Sequence, residues 1–169
     1  MSEKRAMLTQ FIMDNNPTRQ SELAMHPYDC MFGNHPELNA IRKAYGAKAP
    51  VAWLIPQLKD LSEFCGLKDK LSEEQMLQCA HIISTEYGYL KTSELMLFFH
   101  LFKSGRYGQF YGAIDPLKIT TALCKFLNDR NDYFYRLDQK RKDEARMKAR
   151  EGAVTYEEYR RMVENGEIA

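Results

Sequence analysis

The chain has 169 residues, with 24 Lys plus Arg against 23 Asp plus Glu and a formal net charge of +1. At 44% hydrophobic and 28% charged it has the composition of an ordinary globular protein, long enough to bury a core. Those figures exclude a collagen, an acidic disordered chain, a disulfide-dense miniprotein and a uniformly basic histone-like binder.

Residues 1–14 are predicted as a short helix with Met7, Leu8, Phe11 and Ile12 on one side. Asn15-Asn-Pro17 stops it. The following stretch to His35, rich in Pro, Asn and Gly, reads as an irregular arm with a short turn through Gln20–Ala24. Asn34 with Pro36 two positions on marks the start of the next helix, and Gly46 its end. Pro50 opens a helix over Val51–Cys65, whose apolar face is Trp53, Leu54, Leu58, Leu61 and Phe64. Pro56 either bends that helix or moves its start downstream, and Gly66 ends it.

Ser72-Glu-Glu-Gln75 is a capping box, in which serine and glutamine side chains each accept from the other's backbone N–H. It opens a helix carrying Met76, Leu77, Ala80 and Ile83 that ends near Tyr87-Gly88. Thr92 or Ser93 caps the next helix, Glu94 sits at the positive end of its dipole, and Ser104-Gly105 ends it. Asp115-Pro116 pairs a capping acid with proline at the first helical position. The helix it starts runs through Ile119, Leu123, Phe126, Leu127, Arg130, Phe134 and Leu137 at three-and-four spacing, then becomes almost wholly polar over Asp138–Glu151. Thr155-Tyr-Glu-Glu158 is a second capping box, for a short helix through Met162 that stops at Asn165-Gly166. The expected fold class is therefore all-α. A compact multi-helix domain over 36–135 follows an N-terminal helix and irregular arm over 1–35, and precedes a long charged helical extension with a short terminal helix over 136–169.

Two segments are candidates for function. Between Phe98 and Pro116 two helices meet through a turn holding Gly105, Gly108 and Gly112, interleaved with Lys103, Arg106, Tyr107, Phe110 and Tyr111. Glycines permit close approach, and cations beside aromatic faces suit a protein partner or stacked bases. The alternative is a tight corner whose aromatics plug the core. No Gly-Lys-Ser/Thr follows and no strand precedes, so neither a phosphate-binding loop nor a dinucleotide fingerprint is present. The second segment, Arg136–Arg150, holds seven basic and three acidic residues, a local +4 that leaves −3 for the remainder. Its cations Lys140, Arg141, Lys142, Arg146, Lys148 and Arg150 suit contact with phosphates. A solvated helix held by pairs such as Asp138–Lys142 is the plainer alternative.

Catalytic and metal chemistry have little to rest on. Cys30, Cys65, Cys79 and Cys124 are spread without close pairing, and no Cys or His pair is matched by a second, so no zinc site, cofactor or catalytic residue is assigned. His100, among Phe98–Phe102, reads as a core histidine, and paired acids such as Glu73-Glu74 suit first helical turns. No run approaches a membrane span, and residues 1–8 lack the apolar region of a secretory signal. A reduced, cytoplasmic protein is expected.

The run from Glu86 through Tyr87-Gly-Tyr-Leu-Lys-Thr-Ser-Glu94 and Phe98-Phe-His-Leu-Phe-Lys-Ser-Gly-Arg-Tyr107 to Ile119, with Leu123, Phe126 and Arg130, resembles an uncharacterised family of small helical proteins from Bacteroidetes genomes, mobile elements and phages. The resemblance spans about residues 50–135 and carries no established activity. It touches more loosely on phage replication accessories and helicase loaders, and without an ATPase motif it implies the non-ATPase loader or adaptor type. The expected function is a non-enzymatic adaptor in replication or maintenance of a mobile element or phage. Lys103, Arg106, Tyr107, Phe110 and Tyr111 would meet a replication protein or other partner, and the basic helix would meet nucleic acid. The competing expectation is a protein–protein module or host-factor inhibitor that touches no nucleic acid. The oligomeric state is left open.

Overall fold

The computed structural model describes residues 2–66, 68, 70–108 and 114–168. Its elements are α1 (Glu3–Asp14), a 3-10 turn (Pro17–Arg19), α2 (Gln20–Ala24), α3 (Pro27–Phe32), α4 (Leu38–Tyr45), α5 (Ala49–Cys65), α6 (Glu73–Glu86), α7 (Thr92–Lys103), α8 (Pro116–Gly152) and α9 (Tyr156–Glu164). The fold is all-α. The chain divides into two compact units, Met1–Phe126 and Leu127–Ala169, with the boundary inside α8 and nine residues before the one expected at 135.

The first unit is built around α7. Nine of its twelve residues, Thr92–Phe99 and Phe102, are buried, as expected for a helix that is apolar nearly all round. α2, α3 and α5 pack against it, and α4 and α6 pack against α5. Trp53, Leu54, Leu58 and Leu61 of α5, Ile83 of α6 and Ile119, Leu123 and Phe126 from the start of α8 complete the core. Phe98 stands at its centre, with ring centroids 5.3 Å from Phe99 and 5.6 Å from Phe126. α5 is one continuous helix through Pro56. Two residues expected on inner faces turn outward: Phe64 is 61% exposed and Leu77 46%.

The stretch expected as an irregular arm is instead helical, and it is tied to the core by long-range contacts. α2 is the predicted turn through Gln20–Ala24, and α3 adds a second, with Pro27 in its first turn. Ser93 Oγ of α7 donates to the Cys30 carbonyl at 2.6 Å, and Lys91 Nζ donates to the Met31 and Gly33 carbonyls at 2.8 and 3.0 Å. The lysine thus satisfies carbonyls that the end of α3 leaves open. Buried Gln20 donates to Gln57 Oε1 at 2.6 Å, while Gln57 and Trp53 both donate to the Asn15 carbonyl, at 3.1 and 3.0 Å.

Several helix ends follow their local signals. Ser72 and Gln75 form the expected capping box, as do Thr155 and Glu158. Gly66, at φ 60°, ends α5 in the left-handed region, and Asp115 Oδ1 accepts from Lys118 N at 2.9 Å at the start of α8. α7 differs from expectation: its cap is Lys91, whose N–H donates to Glu94 Oε2 at 2.9 Å. The start is displaced because residues 36–39 pair with residues 88–92. Leu38 N donates to Leu90 O at 3.0 Å and Thr92 N to Pro36 O at 2.9 Å, which fixes the chain in an extended form up to Lys91.

The second unit buries none of its described residues. It consists of α8 from Leu127 onward and the capped helix α9. Leu127, Arg130, Phe134 and Leu137 form a half-buried stripe at three-and-four spacing, and the Arg130 guanidinium lies 4.5 Å from the Phe134 ring centroid.

Candidate functional site

The basic segment is one uninterrupted helix. Lys140, Arg141, Lys142, Arg146, Lys148 and Arg150 lie in its last four turns, and every residue from Lys140 to Glu151 is exposed. Between Leu137 and the end of α8 the one large hydrophobe is Met147, so there is nothing to draw this part of the helix into a core. Lys142, Arg146 and Arg150 follow one another at four-residue intervals, which places their stems about 6 Å apart along one side of the helix. Two local ion pairs accompany them: Lys142 Nζ to Asp138 Oδ2 at 2.9 Å, and Arg146 Nη1 to Asp143 Oδ1 at 3.7 Å. The hydrogen bond to Asp138, with its charge, raises the Lys142 pKa above the usual value. Exposed pairs of this kind hold little energy and are screened by salt, so the cations stay accessible to a stronger anion.

The aromatic turn is more enclosed. Lys103 forms an ion pair with Asp60 and lies 5.7 Å from the Phe64 ring centroid, so its ammonium is engaged by α5. Tyr107 is half-buried, with its ring centroid 5.7 Å from Phe98 and 6.4 Å from Phe102. Tyr107 thus packs on the core as the corner alternative has it, Lys103 is held by Asp60, and Arg106 is exposed. Phe110 and Tyr111 lie outside the described residues. Gly105 and Gly108, at φ 84° and 106°, supply the left-handed backbone the turn needs. Beside the turn is a cleft of about 330 Å³, lined by Tyr107, Asp115, Leu117, Lys118, Thr121 and Lys125.

Nucleophiles do not converge. Cys79 is buried while His81, two residues on, is exposed on the opposite side of α6, and His100 is half-buried on α7. Among the described residues no three His, Cys, Asp or Glu side chains are grouped to hold a metal ion. Burial pushes the Cys79 thiol up to about 12 and, with Asp29 and Glu94 nearby, the Cys30 thiol up to about 11, so both stay protonated and inert near neutral pH. Cys124 is exposed, its Sγ 3.5 Å from the Tyr87 hydroxyl. His35 Nε2 lies 2.8 Å from Asp29 Oδ2 at the end of α3, an isolated surface pair. Among the described residues no helix is long and apolar enough to cross a membrane.

One feature of the surface gave no functional signal in the sequence. A groove of about 430 Å³ opens between α5 and α6, lined by Ile55, Lys59, Glu73, Met76 and Leu77. Leu77 fits the inward spacing of α6, and only the packing of α5 against α6 shows that it reaches the rim instead.

A family of unknown function (DUF6633) matches residues 70–167, more than half of the chain. The matched span takes in α6, α7, the whole of α8 and α9, and leaves out α1–α5. No curated protein and no solved structure matches.

Proposed function

We propose that this chain, which belongs to that family of unknown function, is a non-enzymatic adaptor whose basic helix contacts nucleic acid. The observation that carries the reading is the run Lys140, Arg141, Lys142, Arg146, Lys148 and Arg150, six exposed cations in eleven residues of unbroken helix. An exposed helix of this diameter fits the major groove of duplex DNA, and cations at one-turn intervals meet successive phosphates. The family match includes this helix, so the basic segment lies within the matched span rather than in an appended tail. The setting we propose is the replication or maintenance machinery of a mobile element or phage. The sequence resemblance of residues 86–119 supports that setting.

A second reading, a protein–protein module without nucleic acid, is favoured by the local pairs Asp138–Lys142 and Asp143–Arg146, which suit a merely solvated helix. Filter binding to duplex and single-stranded DNA and to RNA over a salt series separates the two. Five phosphate contacts give a slope of log K against log salt of about −4 to −5 on duplex DNA, or a roughly 250- to 1,000-fold loss between 50 and 200 mM. Binding with no salt dependence, or none at low salt, removes the nucleic-acid reading and leaves the protein–protein module.

A further inference from the structure

We infer that α9 of one copy seats in the groove between α5 and α6 of a second copy, so that the chain self-associates. The helix has the form of a docking element. Tyr156, Tyr159 and Val163 stand at i, i+3 and i+7 on one face, the spacing by which amphipathic helices anchor in apolar grooves. They are 78%, 47% and 42% exposed, and no residue of α9 is buried. Nine residues are too few for a helix to persist on propensity alone, since isolated helices below ~12–15 residues are marginal in water. α9 is nonetheless capped at its start by the reciprocal Thr155–Glu158 bonds. A preformed end and an uncovered apolar stripe are what a helix completed by docking requires.

The same chain carries a matching receptor. The groove of about 430 Å³ offers apolar contact from Ile55, Met76 and Leu77, with one cation, Lys59, and one anion, Glu73, in its lining. Beside the stripe on α9 runs the Arg160–Glu164 pair, Nε to Oε1 at 3.2 Å. Glu157, Glu158 and Arg161 complete the charges of α9, and Arg160 and Glu164 are the pair that flanks the stripe on one side. Seating α9 lets Arg160 face Glu73 and Glu164 face Lys59, so the charges orient the helix while Tyr159 and Val163 enter the groove. If each copy lends its α9 and receives the other's, both grooves fill and the assembly closes as a two-fold pair. The contact is small and of the weak, reversible class. It does not depend on nucleic acid.

Sedimentation equilibrium of the full chain without nucleic acid, from about 5 to 100 μM, tests it. The wild type should pass from one to two chains across that range. Tyr159→Glu and Leu77→Glu, both at exposed positions, should each weaken association at least tenfold while the far-ultraviolet spectrum keeps its helical content. An equimolar mixture of the two variants should associate more tightly than either variant alone and less tightly than the wild type, because one intact α9 meets one intact groove where the wild type has two such contacts. A wild type that stays monomeric throughout, whether α9 is uncovered or seated within its own chain, overturns the inference. So do variants that associate as the wild type does, or a mixture that associates no more tightly than either variant alone.

Discussion

α8 belongs to both units and behaves oppositely in each. Up to Phe126 it gives Ile119, Ala122, Leu123 and Phe126 to the core; beyond Leu127 it buries nothing, and from Lys140 every side chain to Glu151 is exposed. The periodicity that buries the first part fades after Leu137, and charge takes its place. The contrast teaches that helical structure and helical burial are separate properties of this sequence. The first unit is held by packing, with nine of the twelve residues of α7 buried. The second persists through caps, i,i+3 and i,i+4 pairs and the long run of good helix formers, which is enough to present charge but not to build a core.

Substitutions should therefore differ in cost according to the unit they fall in. The largest loss is expected for Trp53→Ala, which empties a fully buried site and frees the Asn15 carbonyl from one of its two donors: about 3–5 kcal/mol by urea denaturation. Lys91→Met should cost about 1.5–3 kcal/mol, because the Met31 and Gly33 carbonyls lose a charged donor. Limited proteolysis should then cut first near α3. In the second unit, Thr155→Ala removes one side of the capping box and should cost about 1 kcal/mol, read as a loss of α9 helicity with the denaturation midpoint of the first unit unmoved. Asp138→Ala should leave the denaturation midpoint unmoved, since its pair with Lys142 is exposed.

Alkaline pH probes the packed unit through its buried thiols. The buried Cys79 and Cys30 thiols, ordinarily near 9.0, are raised to about 12 and about 11 in the folded chain. Below pH 9 both folded and unfolded states keep these protons, and the burial contributes in full. Above pH 9 the unfolded chain ionises first, so melting temperature should fall as pH climbs from 9 toward 11–12. Cys79→Ala should flatten that fall. Alkylation at pH 8 should modify the exposed Cys124 and spare Cys30 and Cys79 in the native protein.

What the sequence made legible was whatever is encoded within a turn or two. Ser72–Gln75, Thr155–Glu158, Asp115-Pro116 and Gly66 each carry their stop or start locally, and each stands where it was read. In segment 15–35 the turn through Gln20–Ala24 is legible and forms α2, whereas α3 is not, because so short a helix is not specified by its own residues. It is held by Ser93 and Lys91, about sixty positions away. The start of α7 shifted for a similar reason, since pairing of residues 36–39 with residues 88–92 sets where the chain stops being extended. Lys103 looked like an outward cation because its acid, Asp60, lies forty-three residues earlier. The basic stretch was legible in full: a local excess of charge without hydrophobes has no way into a core. The groove beside Leu77 was not, because it is made by the fit of two helices and by no motif in either.

The central claim is that the exposed cations of α8 meet nucleic acid, and the salt slope of binding tests it most directly. The account expects Lys142→Gln/Arg146→Gln/Arg150→Gln, compared with the wild type on the same duplex, to make the slope shallower by about 3 and to weaken binding at 50 mM salt, with the fold unchanged. Equal slopes for the two proteins would contradict it.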